Sequence, residues 1–177
     1  MNPAPSAKVL VFGNSGSGKS TFARALCKRY GACHLDLDTV AWLPDRPGVR
    51  CALSESHSQI QAFMETHSEW VIEGCYSSLL TMALPFANEI HFLNPGVEVC
   101  QTHCRNRPWE PHKYSSKQAQ DKNLSMLLKW VADYTERDDE FSLKAHQELF
   151  RDFQGTKTEH RTPPSACDET SPPNKPY

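Results

Sequence analysis

Residues 13–20 read Gly-Asn-Ser-Gly-Ser-Gly-Lys-Ser, and this stretch decides the fold. It matches G-x-x-x-x-G-K-[ST], the phosphate-binding P-loop. In that motif successive backbone N–H groups surround the phosphates of a nucleotide, the lysine reaches the β and γ oxygens, and the final hydroxyl ligates Mg²⁺. Lys19 is therefore a predicted catalytic cation and Ser20 a predicted magnesium ligand. The predicted phosphate-binding residues are Gly13, Asn14, Ser15, Gly16, Ser17, Gly18, Lys19, Ser20 and Thr21.

The residues on either side of the motif provide the context that it needs. Residues 8–12 form a short apolar, β-branched run that is typical of a buried parallel strand. Residues 20–30 carry an apolar stripe at helical spacing, with Arg24, Lys28 and Arg29 on the other side. The order strand, glycine-rich turn, helix therefore favours a working P-loop over a glycine-rich turn that binds nothing.

Length and composition narrow the class of protein. The chain has 177 residues, a length that predicts one domain. Its formal net charge of −2 argues against a nucleic-acid partner bound through electrostatic attraction. It contains no apolar run long enough for a membrane span, and its first residues lack a signal-peptide pattern. Seven scattered cysteines, an odd number, favour free thiols in a reducing compartment. We therefore expect a cytoplasmic protein.

The rest of the chain alternates between strand and helix patterns. The predicted strands are 8–12, 33–37, 70–72, 89–93 and 156–160. The predicted helices are 20–30, 54–67, 77–84, 97–107, 117–135 and 141–153. We expect residues 1–160 to form one domain with a short lid at about 106–117, and residues 161–177 to form a disordered, polar, proline-rich tail.

This alternation predicts an α/β fold with about five parallel strands and helices on both faces of the sheet. Ligands of such sheets lie beyond the carboxyl ends of the strands. That rule brings the P-loop together with Asp36 and Asp38, which follow the second strand, and with Glu73 and Gly74, which follow the third.

The acidic residues at this edge suit phosphoryl transfer. The reaction needs a carboxylate near Mg²⁺, directly or through water, and a group that orients the acceptor. Asp36 and Asp38 are candidates for these roles, although one of them could instead cap the following turn. Glu73 could hold a magnesium-bound water or the acceptor, or simply pair with a lysine. Gly74 would let a ligand approach the backbone.

The predicted lid begins with two arginines. Arg105 and Arg107 precede a proline-interrupted, aromatic segment, and arginine neutralises the charge of a transferring phosphoryl group. A mobile flap would also exclude water, and Lys113 and Lys117 are weaker phosphate candidates. The alternative is an ordinary surface loop with solvated charges. Trp42 and Tyr76 follow strand ends on the ligand side and could stack on a substrate ring.

Taken together, these residues resemble the adenylate-kinase-like and shikimate-kinase-like branch of small P-loop kinases. The P-loop is followed directly by a helix, and residues 34–42, His-Leu-Asp-Leu-Asp-Thr-Val-Ala-Trp, are similar to the acceptor-contacting segment of these kinases. Residues 70–76, Trp-Val-Ile-Glu-Gly-Cys-Tyr, resemble a segment of bacterial adenylate-kinase-related proteins of the topology modulation type. An Arg-x-Arg also precedes the lid. The resemblance covers about residues 8 to 160.

The resemblance implies ATP and Mg²⁺ as cofactors. It places Asp36 in the magnesium shell, Asp38 at the acceptor hydroxyl, and Arg105 and Arg107 in the lid. It also implies that the turn carrying Gly155 and Lys157 lies near adenine. Two features depart from the family. The glycine triplet of shikimate kinases is missing after Glu73. The second helix lacks the arginine that usually holds shikimate or a nucleotide phosphate, and Arg46 and Arg50 lie in the preceding loop instead.

Several functions remain open on the sequence alone. The leading interpretation is a Mg²⁺–ATP-dependent kinase that phosphorylates a small molecule or a nucleotide, as a monomer or a dimer. A regulatory NTPase, a nucleotide-binding module without turnover, and a polynucleotide 5′-kinase are the alternatives. The net charge disfavours the last of these, although the basic residues of the lid favour it.

Overall fold

The computed structural model describes residues 6–46, 48–111 and 114–164. His112, Lys113 and most of the predicted tail, residues 165–177, lie outside the described residues. Five strands form one fully parallel sheet in the order β2-β3-β1-β4-β5. The strands are β1 (Lys8–Gly13), β2 (Cys33–Asp36), β3 (Trp70–Gly74), β4 (Glu89–Leu93) and β5 (Thr156–His160). The prediction of a five-stranded parallel α/β sheet is confirmed.

Helices connect the strands. They are α1 (Lys19–Tyr30), α2 (Asp38–Ala41), α3 (Leu53–Thr66), α4 (Ser77–Ala83), α5 (Val97–Arg105), α6 (Lys117–Ala132) and α7 (Leu143–Asp152), with short 3₁₀ turns at Leu84–Phe86 and Asp133–Thr135. Apart from α2, each matches a predicted helix to within about three residues. Strand β2 ends at Asp36, one residue before the predicted end at Leu37, because Leu37 begins the turn into α2.

The side chains of the central strand, β1, point alternately to the two faces of the sheet and contribute to the core on each face. Val9 and Val11 pack on one face against the buried stripe of α1. Leu10 and Phe12 point to the other face, where α3, α4 and α7 supply Ile60, Leu79, Leu80 and Leu149. Both faces of β1 are fully buried, as expected of the central strand of a parallel sheet. The predicted three layers are therefore present.

Helices α5 and α6 form an antiparallel extension beside this core. They pack on each other through a small apolar cluster that contains Cys100, Cys104 and Val131. The predicted lid lies in the connection between the two helices, on the same side as the P-loop. Helix α6 begins with a capped turn, since the Ser116 hydroxyl accepts a hydrogen bond from the backbone N–H of Ala119.

A buried histidine connects α7 to the end of the third strand. Nε2 of His146 lies 2.9 Å from the carbonyl oxygen of Cys75, and Nδ1 lies 2.7 Å from the hydroxyl of Tyr134. Because a carbonyl can only accept, Nε2 carries the proton and Nδ1 accepts from the tyrosine. Burial lowers the pKa of His146 from 6.5 to about 4. The ring is therefore neutral in the folded protein at physiological pH.

This histidine is expected to make folding pH-dependent. Between pH 6.5 and 4 the unfolded chain binds a proton that the native His146 does not, so stability falls as the pH drops through this window. The loss should reach about 3 kcal/mol. Denaturant unfolding of the wild type and of His146→Gln is measured at several pH values between 6.5 and 4. The free energies of unfolding of the two proteins, plotted against pH, should converge at low pH. Parallel curves would contradict this assignment.

Candidate active site

The P-loop links β1 to α1 and lies tightly against α5. Gly16 has a φ of +78°, and a Cβ added there would lie 2.3 Å from the carbonyl oxygen of Cys100 and 2.8 Å from Sγ of Cys104. The loop therefore needs glycine at this position both for its left-handed backbone and for its close approach to α5.

Gly16→Ala is expected to destabilise the protein by about 2–5 kcal/mol, from backbone strain plus the clash with α5. Gly31 gives a matched control, because it also has a positive φ, +68°, but nothing lies within 4 Å of an added Cβ. Gly31→Ala should lose only about 1–2 kcal/mol from strain. Denaturant unfolding of both variants tests the difference, and equal losses would rule out the clash.

Three contacts fix the conformation of the loop. The ammonium group of Lys19 donates to the carbonyl oxygen of Asn14 at 2.8 Å, and Nδ1 of His103 donates to the carbonyl oxygen of Gly16 at 2.7 Å. The buried amide of Asn14 donates to the carbonyl oxygen of Val131, at 3.1 Å. The side chain of Asn14 thus holds the loop against α6.

A cavity of about 980 Å³ opens in front of the loop, at the carboxyl edge of the sheet. It brings together most of the predicted site. The predicted residues that line it are Ser15, Gly16, Ser17, Gly18, Lys19, Ser20, Thr21, Asp36, Asp38, Trp42, Glu73, Gly74, Tyr76 and Arg107. Gly13 and Asn14 lie behind this surface.

The two aspartates take different positions in the cavity. Asp36 ends β2, and its Oδ1 accepts a hydrogen bond of 2.9 Å from the backbone N–H of Asp38, which starts α2. The hydroxyl of Tyr76 donates to Oδ1 of Asp38 at 2.5 Å and accepts from Nε1 of Trp42 at 2.8 Å. Burial, together with the negative charge of Asp38, raises the pKa of Tyr76. The tyrosine therefore stays protonated and orients the carboxylate of Asp38.

Glu73 lies deeper, in the middle of the sheet edge. It pairs in register with Asp36 on β2 and Val11 on β1, and only 1% of it is exposed. Its Oε1 lies 3.4 Å from Nε2 of His34. Burial raises its pKa, but hydrogen bonding to His34, the Lys19 charge and the Ser20 hydroxyl outweigh burial and lower the pKa below its ordinary value. Glu73 is therefore a buried carboxylate at the P-loop.

Gly74 has a packing role that the sequence analysis did not anticipate. A Cβ added there would lie 2.8 Å from Cβ of Leu37, so the missing side chain makes room for the turn into α2. The predicted reason for this glycine was the approach of a ligand. The structure provides a sufficient reason within the protein itself.

The two lid arginines differ in their position relative to the cavity. Arg107 lines the cavity and pairs with Glu110 at 3.2 Å. Arg105 is exposed at the end of α5 and lies outside the cavity, and the weaker candidate Lys117 pairs with Asp121 on α6. Arg107 therefore lies at the cavity and Arg105 does not, because Arg105 is the last residue of α5 whereas Arg107 lies in the connection beyond the end of the helix.

The prediction that Gly155 and Lys157 lie near adenine is wrong. They stand at the amino end of β5, whereas the P-loop follows the carboxyl end of β1 in the same parallel sheet. The ammonium group of Lys157 instead donates to the carbonyl oxygens of Phe150, Arg151 and Phe153, at 2.8 to 3.1 Å, and closes the end of α7. The segment after β5 reaches the cavity.

Several lining residues were not predicted as part of the site. They include His103, Trp130, Phe141, Pro163 and Pro164. Strand direction alone would have selected the two prolines, since they follow the carboxyl end of β5, but they were assigned to the tail. Nothing in the neighbouring sequence identifies Trp130 and Phe141 as site residues, because their spacing from other apolar residues is that of ordinary helix packing.

A P-loop on the central strand of a five-stranded parallel sheet, with helices on both faces, defines a three-layer P-loop α/β fold. Residues 9–84 match the family model described as an AAA domain. No curated protein matches the chain. Among the residues that the structure describes, no helix has the length and apolar character needed to cross a membrane.

Solved structures of kinases share this fold. The chain is similar to a sugar kinase from Janibacter sp. HTCC2649, with 17% identity, a TM-score of 0.55, and coverage of 93% of this chain and 91% of that chain. It is also similar to shikimate kinase from Bacteroides thetaiotaomicron, with 14% identity, a TM-score of 0.50, and coverage of 82% and 97%. At these identities the likeness is one of fold.

Proposed function

We propose that the protein is a Mg²⁺–ATP-dependent phosphotransferase that moves the γ-phosphoryl group of ATP to a hydroxyl group of a small acceptor. The observation that carries the proposal is the shared cavity, in which Lys19 and Ser20 of the P-loop face Asp38 and Tyr76. A donor site and a candidate proton acceptor therefore open into one space. Kinases among the structures of similar fold support the same class of reaction.

The donor half fits a magnesium-bound nucleotide. Ser20, Asp36 and Glu73 bring a hydroxyl and two carboxylates to the end of the sheet, and hard oxygen ligands are those that Mg²⁺ prefers. Ser20 would ligate the ion, with Asp36 in its shell directly or through water. Bound Mg²⁺ would neutralise phosphate charge. The Lys19 ammonium, now on the Asn14 carbonyl, would turn to the β and γ oxygens.

The acceptor half supplies a base. Asp38 takes the proton of the acceptor hydroxyl. The oxygen of that hydroxyl then forms the new bond to the γ-phosphorus. The bond from that phosphorus to the β–γ bridging oxygen breaks, and ADP leaves with the electron pair. Tyr76 holds the carboxylate in place through its 2.5 Å hydrogen bond. Alignment and charge stabilisation provide the rate, as in other phosphoryl transfers.

The narrower assignments stay predictions. They are the topology modulation branch, a cytoplasmic location, a monomeric or dimeric state, and the absence of a nucleic-acid partner. Whether the acceptor is a small molecule or a nucleotide also stays a prediction.

Release of ADP tests the proposal. The protein is incubated with Mg²⁺–ATP and with sugars, nucleosides, nucleoside monophosphates and hydroxy acids in turn. We expect one acceptor class to raise ADP release above the basal rate. Hydrolysis that no acceptor changes would favour a regulatory NTPase, and tight nucleotide binding without turnover would favour a binding module.

Arg107 and Arg105 give a matched pair for the lid. Arg107→Ala should lower kcat by about 10- to 100-fold, with the KM for ATP changing by less than about threefold, because its charge is needed mainly in the transition state. Arg105→Ala should leave both constants near wild type, because this side chain lies outside the cavity. Steady-state kinetics of the two variants checks this, and equal losses would remove the distinction.

A further inference from the structure

An arginine lies against two aromatic rings at the acceptor end of the cavity. The guanidinium carbon of Arg50 lies 5.3 Å from the centre of the Trp42 ring and 4.7 Å from that of Tyr76. At these distances the electron-rich ring faces attract the cation. The hydroxyl of Tyr76 accepts a hydrogen bond from Nε1 of Trp42 and donates one to Oδ1 of Asp38. Arg50 therefore contacts both rings whose polar edges lead to the candidate base.

Two attachments fix the position of Arg50. Its backbone pairs with that of Trp42 in an isolated antiparallel bridge, and backbone hydrogen bonds of 2.9 and 3.0 Å close the loop on either side of this bridge. At the other end of the side chain, Nη2 lies 3.1 Å from Oε1 of Glu140. The guanidinium group is therefore held from both ends while it lies on the rings.

Glu140 connects the arginine to the start of α4. Its second carboxylate oxygen accepts a hydrogen bond from the hydroxyl of Ser78, and its carbonyl oxygen accepts one of 3.2 Å from the backbone N–H of Ser77. These two serines are the first residues of α4, and Tyr76 directly precedes them. One acidic residue thus holds both Arg50 and the helix that follows the tyrosine.

This arrangement brings the protein little stability. Nη1 of Arg50 is buried and has no hydrogen-bond partner among the residues that the structure describes. A buried donor without a partner costs free energy, which the ring faces offset only in part. The side chains of Arg50 and Glu140 are 33% and 26% exposed, so water weakens their ion pair. An apolar side chain could cover the rings without these costs, so the arginine is better explained by its effect on the site.

From these contacts we propose that Arg50 is a positioning residue of the acceptor site. It holds the rings of Trp42 and Tyr76 in the orientation in which Tyr76 keeps the carboxylate of Asp38 directed at the acceptor hydroxyl. The inference rests on the proposed function and concerns how the base of that reaction is held. Arg50 lies outside the described lining of the cavity, so it acts through the rings and not on the acceptor.

A paired neutral replacement separates this role from a structural one. Arg50→Met combined with Glu140→Gln removes both charges, so that neither is left without its partner. We expect a denaturation midpoint at or above that of the wild type, a kcat about three- to tenfold lower, and a KM for ATP within about twofold. Arg46→Met, at an exposed position in the same loop, is the control and should match the wild type. A kcat of the paired replacement equal to that of the wild type would overturn the inference, whatever the midpoint.

The Tyr76→Phe background tests the route by which Arg50 acts. If Arg50 acts through the tyrosine hydroxyl, the paired replacement should lower the kcat of Tyr76→Phe by less than about twofold. An equal loss in both backgrounds would overturn the inference, because Arg50 would then act on something other than Tyr76. A loss confined to the KM of anionic acceptors would also overturn it, since the arginine would then contact the acceptor itself.

The indole N–H of Trp42 provides a measurement that needs no turnover. Its signal in a proton–nitrogen correlation spectrum is identified by its loss in Trp42→Phe, and its hydrogen bond to Tyr76 should slow its exchange with solvent. We expect the paired replacement to speed this exchange by at least about tenfold, and Arg46→Met to leave it unchanged. Unchanged exchange in the paired replacement would show that Arg50 does not hold the rings.

The two proposals fail differently. If no acceptor raises ADP release, the result counts against the phosphotransferase, while the exchange of the Trp42 indole still decides whether Arg50 holds the rings. If the wild type turns over and the paired replacement keeps the same kcat, the phosphotransferase stands and the positioning role of Arg50 is wrong.

Discussion

Lys19→Ala is expected to lower kcat by about 10³-fold while leaving the protein folded. Lys19 is the first residue of α1, and its ammonium group opens into the cavity beside Ser20. In the reaction this charge would stabilise the oxygens between the β- and γ-phosphates, where negative charge develops. No other lysine lines the described part of the cavity. Turnover under saturating Mg²⁺–ATP and acceptor gives the measurement.

Lys28→Ala is the matched control, because Lys28 is exposed in the last turn of the same helix. It should retain wild-type kcat. Lys19→Ala removes one hydrogen bond to the Asn14 carbonyl, so its free energy of unfolding should fall by only about 1 kcal/mol. Activity within about threefold of wild type in Lys19→Ala would remove the P-loop from the reaction.

The sequence predicts the sheet well because each strand carries its own pattern. Residues 156–160 illustrate this, since even this exposed edge strand lies where the sequence analysis placed it. Helix α2 was missed because its single turn depends on Asp36, whose side chain and carbonyl oxygen bind Asp38 and Thr39. A single turn that is held by side-chain contacts leaves no periodic spacing of apolar residues in the sequence.

The donor site was more predictable than the acceptor site for a physical reason. The P-loop is contiguous, so its chemistry can be read from eight neighbouring residues. The acceptor end depends on pairs that are far apart in the chain, such as Arg50 with Glu140 and Tyr76 with Asp38. Only the folded chain shows that Arg50, which lies in a loop, pairs with Glu140.

Strand direction explains the one clear error in the site. Lys157 has the charge of a phosphate or base contact, and it lies close in sequence to residues that do reach the cavity. The parallel register of β5 with β4 nevertheless places it at the opposite edge. Its three carbonyl contacts show what the charge does instead, because a lysine at the end of a helix satisfies carbonyls that lack intrahelical partners.

Asp38→Asn is expected to lower kcat by about 10²- to 10⁴-fold, with little change in the affinity for ATP. The amide has nearly the shape of the carboxylate, and its oxygen can still accept from the hydroxyl of Tyr76, so α2 and Tyr76 should stay in place. The lost property is the capacity to take a proton from the acceptor. Single-turnover kinetics, which separate binding from chemistry, should place the whole loss in the transfer step.

Tyr76→Phe separates proton transfer from positioning. This variant leaves the carboxylate of Asp38 but removes the 2.5 Å hydrogen bond that orients it, together with the acceptor for Trp42. We expect a loss of about tenfold in kcat, clearly smaller than that of Asp38→Asn, since the base is still present. Asp45→Asn, at an exposed position in the following loop, should behave as wild type. If Tyr76→Phe and Asp38→Asn lost activity equally, Asp38 would act only through its hydrogen bond with Tyr76, and the proton would have to leave by another route.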